Sequence, residues 1–386
     1  MEFQFYNDYI QYNTIHIMTD DYLTKQIITY MGNKRKLLKH IKEIVINLEE
    51  KNGRKLKIGD GFSGSGIVSR LFKQHSCELY TNDLAGYAKT LNHCFLTQLN
   101  DNESSQLQKY IDIANKHADN KPKKYLKPYI SGNWSPKDQT KITQNDRVYF
   151  TYENGIRIDI IRNYINTIPK KYQPFLLGSL LVESSIHNNT NGQFSAYYKN
   201  EDGIGQYGGK KNIDLKRITC PIKLKMPVSY TSNSKIHISN MDTNEWVKQI
   251  PELDLVYYDP PYNKHPYSTF YFLLDVINNW NNDDEIPSTY RGQQKNWIKS
   301  KYNSSVDAEQ TFSELISNTP SKYILISYNS GGIIPIERMD SILKQYTNVT
   351  KIPVTHNTYN RLKGISEYKS KKPTTKVNEF FWLVEK

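Results

Sequence analysis

Residues 55–73 read KLKIGDGFSGSGIVSRLFK, and this stretch decides the fold. Lys55–Ile58 is predicted to form a strand, the glycine-rich turn after it ends the strand, and Ile67–Lys73 has the apolar spacing of a helix. A second strand is predicted at Glu78–Thr81, and Lys36–Leu48 upstream has helical periodicity. Strand, glycine turn, helix and strand in this order form a βαβ unit, which indicates an α/β fold.

The rest of the chain contains an interruption and then a return of the α/β pattern. Residues from about 96 to 235 break the alternation and have helical periodicity at Ile156–Ile168 and Tyr172–His187. Further strands are predicted at Lys235–Ile238, Leu253–Tyr257, Lys322–Tyr328 and Glu379–Val384. We therefore expect three regions: an N-terminal arm over 1–20, one α/β domain formed by 21–95 and 236–386, and an insertion of helices and loops over 96–235.

The segment DLVYYDPPYN, residues 254–263, places polar groups at the end of an apolar strand. Pro260 and Pro261 have no backbone N–H to donate, so the strand is predicted to end at Asp259. Ligands of open α/β sheets bind at the carboxyl ends of the strands, so the Asp259 carboxylate is expected to face a ligand. The alternative is an ordinary turn in which this aspartate caps the corner.

The glycine loop predicts a second part of the same site. Gly59, Gly61 and Gly64 satisfy G-x-G-x-x-G, and Asp83 follows Gly64 by 19 residues at the end of the second predicted strand. This pattern is typical of dinucleotide binding, although a tight turn without a ligand has the same spacing. Asp60 lies inside the loop, and its negative charge argues against a pyrophosphate and for a cationic or amine-bearing ligand. An NAD-dependent oxidoreductase would leave Asp-Pro-Pro-Tyr unexplained.

Composition limits the partners and the compartment. The 386-residue chain has 51 Lys and Arg against 39 Asp and Glu, a formal net charge of +12. This excess indicates a polyanionic partner, with compositional drift as the alternative. The three cysteines have no C-x-x-C spacing, so neither disulfides nor a metal site are expected. No signal peptide and no membrane segment are apparent, so we expect a cytoplasmic protein that does not bind membranes.

The Asp-Pro-Pro-Tyr residues suit chemistry on an exocyclic amine. Adenine N6 is a poor nucleophile because its lone pair is delocalised into the ring. The Asp259 carboxylate and the Pro260 carbonyl can each accept one N–H and hold the amine in a geometry that frees the lone pair. Tyr262 offers a ring on which an extruded base can stack.

Four motifs in this order resemble a known family. They are Tyr30–Leu38 (YMGNKRKLL), Asp60–Gly66 (DGFSGSG), Asn82-Asp83 and Asp259–Tyr262 (DPPY). The chain resembles the D12-class, S-adenosylmethionine-dependent adenine-N6 DNA methyltransferases, and among them those of FokI-type restriction–modification systems. Further likeness lies at Tyr149–Gly155, Asn191–Lys199 and Ile326–Gly331. The resemblance covers most of residues 25–386.

The resemblance implies a Rossmann-like methyltransferase fold with a mostly parallel sheet. It implies methyl transfer from S-adenosylmethionine to adenine N6 in a specific sequence of double-stranded DNA, within a restriction–modification system that includes a cognate restriction endonuclease. Residues 21–95 and 236–386 would form the catalytic domain, and 96–235 the target recognition region. RNA adenine-N6 transfer, DNA cytosine-N4 transfer and a catalytically silent nucleic-acid-binding protein remain alternatives.

The family's site residues carry over position by position. Asp259, Pro260 and Tyr262 match the catalytic motif. The cofactor positions are Tyr30 and Lys34 for the methionine moiety, Asp60, Gly64 and Gly66 in the loop near the sulfonium, Asp83 for the ribose, and Asp242 for the adenine. Simpler interpretations are core packing for Tyr30, a solvated basic helix face for Lys34 and a helix N-cap for Asp242.

DNA contacts are expected from the insertion and from one later loop. Basic groups for phosphates are predicted at Lys121–Lys127, Arg147 and Gly203–Arg217, and base-edge readers at Asn188, Asn191 and Gln193. The basic, aromatic segment Tyr290–Lys301 is expected to close over DNA or to be an exposed loop.

Overall fold

A seven-stranded, mostly parallel sheet forms the centre of the protein, as a computed structural model describes it over residues 20–346, 348–357 and 376–386. The strand order is β3-β2-β1-β4-β5-β7-β6. The strands β1 to β5 pair in parallel, whereas β7 is antiparallel to both β5 and β6. Their bounds are β1 Leu56–Asp60, β2 Ser76–Asn82, β3 Lys235–Ser239, β4 Leu253–Tyr258, β5 Ser321–Asn329, β6 Asn348–Asn357 and β7 Lys376–Glu385. The predicted α/β fold with a mostly parallel sheet is confirmed.

Both faces of the sheet are covered, which explains the continuous apolar runs. On β4, Leu255 and Tyr257 belong to one core, and Val256 and Tyr258 belong to the core on the opposite face. Successive side chains of a strand point to opposite faces, so a strand buried on both sides needs apolar residues throughout. The first core includes helices Leu38–Asn52 and Ile67–His75, and the second includes helices Ala308–Asn318 and Ile336–Leu343.

The strand β6 was not predicted. It lies at the edge of the sheet, where it pairs only with β7 among the described strands, and its sequence NVTKIPVTHN is largely polar. An edge strand needs only one pairing partner and tolerates a proline, here Pro353. The apolar signal that identifies the inner strands is therefore weak in this one.

The region 96–235 is helical, as predicted. Its helices are Asp101–Asn120, Ile130–Asn133, Tyr152–Ile165, Gln173–Ile186 and Leu215–Thr219. The first four of these helices share one core with helices Gly86–Leu96 and Phe272–Asn279 of the sheet-bearing part. The packing is close: a Cβ on Gly178 would lie 2.4 Å from the Cβ of Cys94. The region thus packs directly on the α/β part of the chain.

The predicted N-terminal arm lies outside the described residues, apart from Asp20. That residue caps the short helix Asp21–Thr24, and its side chain accepts a hydrogen bond from the Tyr22 N–H. None of the helices in the described ranges is long and apolar enough to cross a membrane.

Candidate active site

A cavity opens where β1, β2 and β4 end. It has about 1020 Å³ of empty volume, including its mouth to solvent. Six of the predicted site residues line it: Tyr30, Lys34, Gly64, Asp83, Asp242 and Asp259. They come from five places in the sequence, and four of these places follow strands of the parallel sheet, which end at one edge.

The glycine loop passes close to aromatic and polar side chains. Gly64 has φ +50°, and a Cβ there would lie 2.8 Å from the Tyr30 ring. Gly66 has φ +76° at the start of helix Ile67–His75, where a Cβ would lie 3.0 Å from Asn92 Oδ1. Positive φ and close neighbours both require glycine at these two positions. Gly66 shapes the turn and does not line the cavity.

Asp60 lies behind the loop and not in the cavity wall. Its Oδ2 accepts a 2.5 Å hydrogen bond from Ser69 Oγ, whereas its buried Oδ1 has no partner among the described residues. Burial raises the pKa of this carboxyl to about 7, and the charges of Asp83 and Asp259 act in the same direction. From behind the loop this carboxyl can act on a ligand in the cavity through its charge, which favours a positively charged group there.

Asp83 links the end of β2 to the glycine loop. Its Oδ2 accepts from the Gly64 N–H at 2.7 Å and its Oδ1 from the Ala85 N–H at 2.8 Å. Burial raises its pKa, and these backbone hydrogen bonds oppose the rise. The carboxylate therefore fixes the loop as well as lining the cavity.

Tyr30 and Asp242 have structural roles as well as positions in the cavity wall. The Tyr30 ring stacks against the rings of Tyr267 and Tyr271, with centroids 5.1 and 4.7 Å away, and those two rings also stack on each other at 6.1 Å. Asp242 is the N-cap of helix Thr243–Trp246 and accepts from the Asn244 N–H at 2.9 Å. Tyr30 therefore packs against other rings and Asp242 caps a helix, as the simpler interpretations expected, and both residues also line the cavity.

Lys34 is buried against the Asp-Pro-Pro-Tyr motif, so its interpretation as part of a solvated helix face is wrong. Only 4% of its side chain is exposed, and Nζ lies 3.0 Å from Asp259 Oδ1 and 2.8 Å from Glu379 Oε1. Burial would lower the pKa of Lys34, but the two carboxylates raise it overall. Lys34 is thus an ammonium ion between two acids.

Asp259 follows β4 directly, as predicted. Its Oδ1 meets Lys34 Nζ and accepts a hydrogen bond from the Tyr262 hydroxyl, whereas Oδ2 takes part in neither contact. Burial raises the pKa of Asp259 to about 6, although Lys34 acts in the opposite direction. The carboxyl is therefore largely ionised at neutral pH, with one oxygen outside the cluster.

Pro260 and Tyr262 do not line the cavity. Tyr262 is 8% exposed, its ring is edge-on to Tyr328, and Lys34 Nζ lies 4.6 Å from its centroid. Its hydroxyl donates its single proton to the Asp259 carboxylate, and the Glu379 carboxylate lies 3.2 Å away as an alternative acceptor. The ring that was expected to stack on a base lies beside the cavity in this structure.

Three residues of the site were missed by the sequence analysis. Glu379 on β7 joins the Lys34 cluster, Tyr267 lines the cavity, and Asp275 lines it with a pKa that burial raises to about 7. A charged residue at the start of the apolar β7 segment was the available signal for Glu379. Tyr267 and Asp275 carry no local signal, because only the tertiary fold turns them toward the cavity.

Several residues expected to contact DNA serve the protein interior instead. Arg147 donates to the carbonyls of Asn133, Pro287 and Thr289. Arg217 donates to the carbonyls of residues 186, 188 and 190. The buried Asn188 amide donates to two carbonyls of helix Gln173–Ile186. These groups are already paired, whereas Lys121, Lys123, Lys124, Lys127 and Asn191 are exposed.

The fold and the site define an α/β methyltransferase with its glycine loop and its Asp-Pro-Pro-Tyr motif on one cavity. Residues 30–342 match the profile of the D12 class N6 adenine-specific DNA methyltransferases, and the chain belongs to this family. The family implies DNA as the substrate and S-adenosylmethionine as the methyl donor.

Relatives of known name cover most of the chain. It is 26% identical over 367 residues to the type II methyltransferase M.NlaIII of Neisseria lactamica, covering 93% of this chain and 99% of the relative. It is 26% identical over 375 residues to M.FokI of Planomicrobium okeanokoites and 25% identical over 342 residues to the modification methylase LlaI of Lactococcus lactis subsp. lactis. These alignments cover 92% and 86% of this chain but only 52% and 50% of the relatives. The chain therefore spans about half the length of the last two proteins.

Proposed function

We propose that the chain methylates adenine N6 within a specific sequence of double-stranded DNA, as the modification enzyme of a restriction–modification system with a cognate endonuclease. Family membership supports the reaction. The names of the relatives, which are modification methylases and type II methyltransferases, support the biological role. The observation that carries the proposal is the position of Asp259: it follows β4 and lines the same cavity as Gly64 and Asp83.

The residues around the cavity fit S-adenosylmethionine, a cationic ligand with amine, hydroxyl and sulfonium groups. The carboxylates of Asp83 and Asp242 in the wall and that of Asp60 behind it suit such a ligand. Tyr30 and Lys34 would bound the cofactor site on the other side, and Gly64 and Gly66 would let the loop approach it. Bound there, S-adenosylmethionine supplies an activated methyl group.

Asp259 and Pro260 are the proposed catalytic residues. The ionised Asp259 would accept one N6–H through Oδ2, which the Lys34 cluster leaves free, and the Pro260 carbonyl would accept the other. Both acceptors are fixed before the reaction, so they direct the nitrogen lone pair without reorganisation. Tyr262 would stack on the extruded base after leaving its edge-on contact with Tyr328.

Residues 21–95 and 236–386 are the proposed catalytic domain, and 96–235 the proposed target recognition region. Arg147 and Arg217 are paired with backbone carbonyls, so the exposed lysines of the two predicted segments, among them Lys123, Lys124, Lys127, Lys211 and Lys216, remain suited to phosphates.

The experiment is transfer of labelled methyl from S-adenosylmethionine to unmethylated genomic DNA, with RNA in parallel, followed by nucleoside analysis. N6-methyladenine in DNA supports the proposal, label in RNA alone or N4-methylcytosine supports an alternative substrate, and cofactor binding without label supports a silent binding protein. Asp259→Ala should bind S-adenosylmethionine and lose transfer. The control Asp254→Ala removes a carboxylate that pairs with Arg54 at the start of β4, away from the cavity. It should keep transfer.

A further inference from the structure

Glu379 contacts the proposed catalytic cluster from the far end of the sequence. It lies on β7 opposite Asn329 of β5, is 3% exposed, and does not line the cavity. Its Oε1 lies 2.8 Å from Lys34 Nζ and accepts from Ser327 Oγ at 2.8 Å and from the Tyr262 hydroxyl at 3.2 Å. One carboxylate oxygen thus lies within hydrogen-bond distance of three polar groups.

We propose that Glu379 is a positioning residue for methyl transfer, which anchors the Lys34 ammonium so that Lys34 holds Oδ1 of Asp259 and leaves Oδ2 for the target amine. The proposal rests on the proposed function of Asp259. It assigns Lys34 to the orientation of the catalytic acid, whereas the family resemblance assigns it to the methionine moiety of the cofactor.

Geometry supports this assignment because each contact constrains the next. A lysine side chain has four rotatable bonds, and a single acceptor does not fix its ammonium. Here Nζ has a carboxylate oxygen on either side, at 2.8 and 3.0 Å, and the Tyr262 hydroxyl as a third partner. Ser327 holds Glu379 in turn. A chain of contacts therefore leads from the interior of the sheet to Oδ1 of Asp259.

The charges support it as well. The cluster holds two acids and one ammonium, and a buried charge that loses its partner is costly. Burial would raise the pKa of Glu379, but Lys34 together with hydrogen bonds from Lys34, Ser327 and Tyr262 lowers it overall, so Glu379 stays ionised. The negative charge of Glu379 raises the pKa of Asp259 further, whereas the positive charge of Lys34 lowers it. Removing Glu379 and removing Lys34 should therefore shift the titration of Asp259 in opposite directions.

The test compares Glu379→Gln with Lys34→Met. Labelled methyl transfer is measured at enzyme excess on unmethylated genomic DNA between pH 5 and 9, and S-adenosylmethionine binding is measured by calorimetry. Glu379→Gln should bind the cofactor within about threefold of wild type and lose at least tenfold in transfer rate. The pH at which the transfer rate falls off on the acid side should be lower than in wild type by about half a unit or more for Glu379→Gln. For Lys34→Met this pH should be higher than in wild type. The control Glu385→Gln, on the same strand and paired with the exposed Lys51, should match wild type in all three measurements.

Two results overturn the proposal. One is a wild-type rate and pH profile in Glu379→Gln; the other is a loss of cofactor affinity that accounts for the whole loss of rate. If Glu379→Gln does not fold, Ser327→Ala provides a second test because it removes one donor to Glu379. It should show the same changes in rate and pH profile, but smaller. Wild-type rate and pH profile in Ser327→Ala would also overturn the proposal. Failure of the proposed function is distinct, because wild type would then form no N6-methyladenine in DNA, or Asp259→Ala would keep full transfer.

Discussion

Replacing Asp259 with asparagine should separate activity from stability. The side chain is 17% exposed, and burial raises its pKa to about 6 from an ordinary value of 3.8. A carboxyl whose pKa is raised in the folded state destabilises the fold when it is ionised. The difference of about two units corresponds to ~3 kcal/mol at ~1.4 kcal/mol per unit. Asparagine is neutral, and its oxygen can still accept from Lys34 and Tyr262.

The sign of the effect depends on pH. Above pH 6 the wild-type carboxyl is ionised in both the folded and the unfolded chain, so the full penalty is present. As pH falls through 6 toward 3.8, the folded carboxyl becomes protonated first and the penalty disappears. Asp259→Asn should therefore be more stable than wild type by up to ~3 kcal/mol at pH 8, and the gain should shrink as pH falls to 4.

Urea unfolding of both proteins at pH 8, 6 and 4 measures this gain, and labelled methyl transfer at pH 8 measures activity. Activity should fall by about 10²- to 10³-fold, because a charged acceptor for the target amine is lost. Asp254→Asn is the control for which the opposite effect is expected. The interaction with Arg54 outweighs burial and lowers the pKa of Asp254, so replacing this carboxylate should destabilise the protein at pH 8. A less stable Asp259→Asn at pH 8, or a gain that does not change with pH, would refute the reasoning.

Two further predictions concern the proposed cofactor and DNA contacts. Gly64→Ala forces a Cβ at φ +50° to within 2.8 Å of the Tyr30 ring, so the affinity for S-adenosylmethionine in calorimetry should fall at least tenfold. Gly53→Ala is the control, because Gly53 has φ +65° and a Cβ there would meet nothing within 4 Å. It should lower the free energy of unfolding by only ~1 kcal/mol and leave the affinity for S-adenosylmethionine unchanged. An equal loss of affinity in the two variants would contradict a local effect of Gly64. Replacing Lys124 and Lys127 with alanine should weaken DNA binding and reduce the slope of log K against log salt by about 2, and an unchanged slope would remove these lysines from the interface.

The parts of the fold that the sequence predicts are those with a local physical signal. Strand β4 must be apolar on both faces because a core lies on each side of the sheet, and Pro260 must end its ladder. The turn after β1 requires glycine at positions 64 and 66, where φ is positive. The edge strand β6 lacks both kinds of signal, and nothing in its local sequence distinguishes it from an exposed loop.

The site could be predicted only as far as contiguous motifs extend. The glycine loop and Asp-Pro-Pro-Tyr each carry their own pattern, and their shared cavity follows from parallel strands ending at one edge. The pair of Lys34 and Glu379 joins residues 345 positions apart. In the sequence Lys34 belongs to a basic run with Lys36 and Lys39, and only the tertiary fold distinguishes the buried lysine from its exposed neighbours.

The same limit applies to the net charge. A formal charge of +12 suggests a basic surface, yet the buried Lys34 and Arg217 and the partly buried Arg147 are held by carboxylates or backbone carbonyls. A cation held in this way satisfies groups that burial would otherwise leave unpaired, and it releases no counterions from DNA. Under the proposed function, the attraction to DNA would come from exposed side chains such as Lys124 and Lys127. The number of such lysines at the interface, rather than the total charge, should set the salt dependence of binding.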